Sequence, residues 1–184
     1  MKKFTAILLL SIGFVFNSFA QSSEEDYKKN EVKLNILNTI VQGSVELGYE
    51  YFLGIDQSIG VEYMINDRFG YNAQGSGGKD YRTNSFQVAY NFYFLNEADI
   101  SNSYSSIYVY PFFKYRYGEF KEDNEPDIDM NSTMIGIGVG YKWVRNNKFT
   151  IAPYVNIARG FSEEVENRFT AVEINAGASI GYRF

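Results

Sequence analysis

Three carboxylates, Glu46, Glu50 and Glu62, stand close together in a chain of 184 residues. Grouped carboxylates perform acid and base chemistry when their surroundings push their pKa values apart. The chain has no histidine, so the usual general base at neutral pH is missing. The face that carries these acids also carries lysine and arginine, so no catalytic residue is assigned. A second group, from Glu119 to Asp129, holds six acids and one lysine. Asp123, Glu125, Asp127 and Asp129 alternate as in a calcium loop, without its glycine at the sixth position or its closing Glu at the twelfth. The segment reads as a solvated surface loop with at most weak affinity for divalent cations, and no metal site is assigned. Residues 72–79, with Gly75, Gly77 and Gly78, lack the strand-to-helix setting of a phosphate loop and read as a flexible connection. Nothing here implies a cofactor.

Composition narrows the compartment and the partners. Residues 1–20 read as a cleavable signal peptide: Lys2 and Lys3 lead an apolar run from Ile7 to Phe16, and Ser18-Phe19-Ala20 supplies small residues before Gln21. That run is short of the ~20 apolar residues of a membrane-spanning helix, so any crossing must be made by strands. Residues 21–30 form a polar periplasmic leader. Without Lys2 and Lys3 the formal charge moves from −5 to −7, which excludes the basic footprint that nucleic acid requires. The absence of cysteine rules out a disulfide scaffold. Sixteen Tyr, sixteen Phe and sixteen Gly against three Pro favour pleated strands and tight turns.

Period-two alternation places eight strands at 31–40, 44–53, 58–66, 81–95, 107–118, 133–144, 149–158 and 171–184. The last is the clearest, with Val172, Ile174, Ala176, Ala178, Ile180, Tyr182 and Phe184 set against Glu173, Asn175, Gly177, Ser179, Gly181 and Arg183. Ile135 to Trp143 repeat the pattern against Gly136, Gly138, Gly140 and Lys142. Taking the apolar face of each strand as outward leaves it without charge. The inward face then holds Lys33, Glu46, Glu50, Glu62, Lys114, Arg116, Lys142, Glu173 and Arg183. A lysine or arginine facing mid-membrane lipid costs about 2–4 kcal/mol, so this segregation points to lipid outside. Eight strands leave room for little beyond side chains, and the inward charges read as an ion-paired plug, ahead of a narrow ion path or a lumen ligand. Pro111 and Pro153 fall inside strands and predict bulges.

Connections and aromatic residues set the orientation. The long connections at 67–80, 119–130 and 159–170 fall on one side, and the short ones at 54–57 and 145–147 on the other, as expected for a periplasmic N-terminus. Residues 41–43 read as a tight hairpin and 96–106 as a longer inner turn, against that trend. Tyr49, Tyr51, Phe92, Phe94, Tyr141 and Trp143, with Tyr182 and Phe184, would form the periplasmic aromatic girdle. Tyr115 and Tyr117 would mark the outer interface.

The chain resembles the small eight-stranded bacterial outer-membrane β-barrels of the OmpA, OmpX and OmpW type, most specifically at Ala178-Ser179-Ile180-Gly181-Tyr182-Arg183-Phe184. Ile180, Tyr182 and Phe184 resemble the terminal strand signal of that family. The resemblance implies barrel-assembly machinery as a transient partner during biogenesis and a monomer among outer-membrane lipids, lipopolysaccharide included. The expectation is an all-β, antiparallel up-and-down transmembrane barrel over 31–184, exported to the outer membrane, with a structural or surface-interaction role and a closed lumen. The alternative is a narrow pore, or a binding and transport barrel for a small apolar molecule, as the OmpW type suggests. A soluble lipocalin-like barrel would invert the two faces.

Overall fold

A sheet with one apolar and one polar face removes its raw edges by closing on itself. The computed structural model of this chain is such a closed sheet and describes residues 28–67, 80–94, 105–121, 128–162 and 171–184. The expected signal peptide, most of the polar leader, the glycine-rich 72–79, most of the 96–106 turn and the centre of the acidic loop lie outside the described residues.

The strands are β1 (Asn30–Asn35), β2 (Val45–Phe52), β3 (Gln57–Ile65), β4 (Asp80–Phe94), β5 (Ser106–Lys121), β6 (Ile128–Asp129), β7 (Ser132–Arg145), β8 (Phe149–Phe161) and β9 (Val172–Arg183), with one helix, α1 (Ile36–Gln42). Eight of these strands pair antiparallel in chain order. The barrel closes between β1 and β9, from Glu31 opposite Arg183 to Asn35 opposite Ser179. The two-residue β6 pairs back onto the end of β5. Part of the expected acidic loop is thus ordered sheet, because β5 continues through Lys121 and Ile128 returns beside Phe120. The lower turn between β7 and β8 holds Asn146 and Asn147 at φ 54° and 50°, a left-handed pair that asparagine tolerates and that matches strand twist.

The outer wall is apolar. Leu47, Ile135, Ile137, Ile151, Ile157 and Ile174 all stand exposed on it, which overturns the lipocalin alternative. The segregation of charge has a limit at the rims. β8 runs past Ala158 to Phe161, so Arg159 lies on the outer face with its guanidinium 6.0 Å from the Phe161 ring. Glu119, Asp129 and Arg145 are likewise exposed, each within two residues of its strand's end.

Two other expectations are corrected. Neither proline introduces a bulge: the β4–β5 register is the same on both sides of Pro111, and the β7–β8 register is the same on both sides of Pro153. Each proline opens a two-pair gap in one ladder, where its missing N–H removes a donor, and pairs normally with the strand on its other side. The first strand ends at Asn35, and the expected strand to residue 40 with its 41–43 hairpin is the helix α1. Asn35 Oδ1 accepts from Asn38 N at 3.1 Å, and Gly43 closes the helix at φ 67°, the asparagine cap and left-handed glycine stop of a short helix.

As a result the wall is lopsided. β1, β2 and β3 have six, eight and nine residues, whereas β4, β5, β7, β8 and β9 have 15, 16, 14, 13 and 12. The strands are flush at the end near the termini, where Asn30 lies opposite Tyr51 and Phe149 opposite Tyr182. The shortfall is therefore at the opposite rim, where β9 rises past the end of β1 and α1 packs against it.

Candidate functional site

Inward residues of a narrow barrel meet across its axis, so strand parity alone decides which side chains share the lumen. On β5 that parity presents Tyr108, Tyr110, Phe112, Lys114 and Arg116 in order, all buried. The facing stripe on β7 is Gly136, Gly138 and Gly140. A Cβ at these positions would come within 2.2–2.6 Å of the Phe112, Tyr110 and Tyr108 rings. The glycines are the floor on which the rings lie. Tyr108 and Tyr110 stack at 5.5 Å, Tyr110 and Phe112 follow at 5.8 Å, and Tyr154 meets Tyr110 edge-on at 6.4 Å.

The charges sort into two groups on either side of this aromatic layer. Nearer the termini, Lys142 contacts Glu50 at 2.8 Å and Glu31 at 3.2 Å. Arg183 contacts Glu31 at 2.8 Å, and Lys33 bridges Glu50 at 3.3 Å and Glu62 at 2.9 Å. Ser58 and Tyr93 also donate to Glu50, and Thr150 donates to Glu31. Lys142 lies over the Phe52 and Tyr93 rings, 5.2 Å from each centroid, where cation and ring quadrupole attract. Near the opposite rim, Lys114 contacts Asp67 at 2.8 Å and Glu173 at 3.1 Å, and Arg116 contacts Asp67 at 2.9 Å and Glu173 at 2.8 Å.

Among the described residues each group closes its own charge: Glu31, Glu50 and Glu62 against Lys33, Lys142 and Arg183, then Asp67 and Glu173 against Lys114 and Arg116. Burying ions is tolerated when every charge is paired and hydrogen-bonded. Glu46 departs from the expected network. It sits on the lumen side of β2, accepts from Asn35 and Asn38 at 2.7 Å each and from Tyr154 at 3.3 Å, and forms no ion pair among the described residues.

Eight of the nine expected inward charges thus lie in one group or the other, and the sequence reading missed two acids. Glu31 shares the parity of Lys33, so alternation alone places it inside. Asp67 follows Asn66, whose φ of 59° turns the chain out of its strand alternation, and no periodicity anticipates that. Asp129, the described member of the calcium-like set, accepts from Asn131 N and Nδ2 at 2.9 Å.

No protein-family model matches the chain, and no curated protein matches it. Among solved structures it is similar to the N-terminal β-barrel domain of Pseudomonas aeruginosa OprF, with TM-score 0.61 and 14% identity over 85% of this chain and 98% of that one. It is also similar to Neisserial surface protein A, with TM-score 0.57 and 11% identity over 85% of this chain and 94% of that one. The chain has the fold of the small eight-stranded outer-membrane β-barrels. On this outer-membrane-barrel fold Tyr49, Tyr51, Phe92, Phe94, Tyr141 and Trp143 all lie on the outward face toward the termini end. Tyr141 and Trp143 pack at 4.7 Å, and Tyr182 meets Phe149 at 5.4 Å. Ile180, Tyr182 and Phe184 point outward on the closing strand, with Ile180 opposite Leu34 and Tyr182 opposite Val32. Tyr63 and Tyr117 join hydroxyls at 2.7 Å higher on the wall.

Proposed function

We propose that this chain resides in the outer membrane as a monomeric barrel with a structural or surface-interaction role and a closed lumen. The observation that carries the reading is the packing of the lumen by two charge-balanced ion groups with an aromatic layer between them. An ion entering this lumen must part a group that is already neutral and largely buried, which gives it no favourable site. The lumen carboxylates other than Glu46 are held by cations, which argues against an enzymatic role. The termini end, with its aromatic girdle, faces the periplasm in this reading. Barrel-assembly machinery is the transient partner for Ile180, Tyr182 and Phe184, and lipopolysaccharide and other outer-membrane lipids surround the wall.

Two measurements test this. In planar bilayers the refolded protein, Lys142→Ala and Glu173→Ala are all expected to be silent. Steady wild-type current altered by either substitution would make the lumen a pathway and favour the pore or transport alternative. Trp143 is the single tryptophan and stands outward, so in vesicles its emission is expected to shift to the blue and to be quenched by lipids brominated near the headgroup end of their chains. Unquenched emission from a protein that stays dispersed without detergent would defeat the membrane placement.

A further inference from the structure

In water a short helix at the edge of a sheet turns its apolar stripe inward and its polar side chains out. α1 does the reverse. Leu37, Ile40 and Val41, at the i, i+3, i+4 spacing of one helical face, stand 42%, 82% and 69% exposed. Asn38 on the other side is buried and donates to Glu46 at 2.7 Å, and Thr39 donates to the Asn35 carbonyl at 2.6 Å. Neither helix end carries a charged residue; Asn35 caps the start, and Gly43 and Ser44 both donate to the Asn38 carbonyl at the other end.

The same inversion characterises the barrel wall, and α1 stands where wall is missing. Six residues of β1 span roughly 20 Å along the strand, or about 14 Å of height at a tilt near 45°, about half of the ~25 Å apolar band of such barrels. Beside this gap β9 continues upward, with Ile174 outward opposite Ile157, which is opposite Ile137. That outward row is wall, and α1 packs against β9 beside it. A helix presents no row of unpaired ladder groups along its side, so it can occupy the gap where an open strand edge could not.

We propose that the Leu37, Ile40 and Val41 face of α1 is a lipid-contact surface, seated among the acyl chains of the leaflet opposite the termini and completing the apolar band where β1 stops. The inference rests on the outer-membrane reading above.

Because the chain has no cysteine, single-cysteine labelling is clean. Ile40→Cys and Val41→Cys, each carrying an environment-sensitive fluorophore, are compared in phosphatidylcholine vesicles with Ile157→Cys on the wall and Lys148→Cys in the lower turn. Quenchers are acyl-chain nitroxide lipids and aqueous iodide. The expected result is blue-shifted emission at both α1 positions, quenched by the lipid nitroxide as strongly as at Ile157→Cys and protected from iodide as Lys148→Cys is not. Iodide quenching at both α1 positions with lipid quenching confined to Ile157→Cys would overturn the proposal while leaving the barrel in its membrane. Protection from both quenchers, with disulfide-linked dimers of unlabelled Val41→Cys protein on mild oxidation, would also overturn it, in favour of a second copy. Loss of lipid quenching at Ile157→Cys itself would instead bring down the membrane reading.

Discussion

Glu50→Gln is expected to lower the unfolding free energy of the vesicle-refolded barrel by about 3–5 kcal/mol, the usual cost of leaving buried opposite charge without its partner. Glu46→Gln is expected to cost about 1 kcal/mol, the scale of a neutral hydrogen bond rearranged. The two residues lie on the same strand, four positions apart, and both face the lumen. They differ in partners: removing the Glu50 charge leaves three cations facing two acids around Lys33, Lys142 and Arg183, whereas Glu46 answers to two amides and a phenol. Urea midpoints followed by Trp143 fluorescence measure both. Equal losses would show that charge balance does not govern the lumen.

Gly136→Ala is expected to cost about 1–3 kcal/mol, the range for overpacking a filled interior. The added Cβ meets the Ile157 carbonyl oxygen at 2.6 Å as well as the Phe112 ring at 2.3 Å. A ring can swing, but a carbonyl in the β7–β8 ladder cannot do so without loosening the sheet. Gly60→Ala is the control: it is also an inward glycine, but its nearest atom is Asn91 Nδ2 at 3.5 Å. It should be neutral or slightly stabilising, since alanine loses less backbone freedom than glycine by about 0.5–1 kcal/mol. The same urea series compares the two, and a matching loss at Gly60 would mean that ring packing does not set the cost.

Much of this was legible in the sequence because parity in a strand is local. Ile135 to Trp143 against Gly136 to Lys142 requires only that the chain be extended, and the barrel follows from eight such runs. The nature of the lumen was less legible. The sequence presents Gly136, Gly138 and Gly140 as a merely small face; that they make room for Tyr108, Tyr110 and Phe112 depends on β5 lying beside β7, a tertiary fact. α1 was misread because Ile, Val and Thr favour strands, although Asn35 and Gly43 carry the signals of a helix start and stop. The two prolines predicted bulges from a rule about ladders, yet each gives up pairing on one side only and keeps its register.

The two neutral ion groups have a consequence for how the barrel is assembled. Their contacts join positions far apart in the chain, 152 residues for Glu31 with Arg183 and 111 for Glu31 with Lys142, so neither Glu31 nor Arg183 finds its partner until β1 meets β9. A slip of one residue at that seam turns Glu31 toward lipid. A slip of two keeps the faces but carries Arg183 about 7 Å along the strand from its acid, at ~3.4 Å per residue. The lumen therefore acts as a proofreader of closure: wrong alignments are penalised electrostatically, and the correct one is recognised by the cancellation of charge.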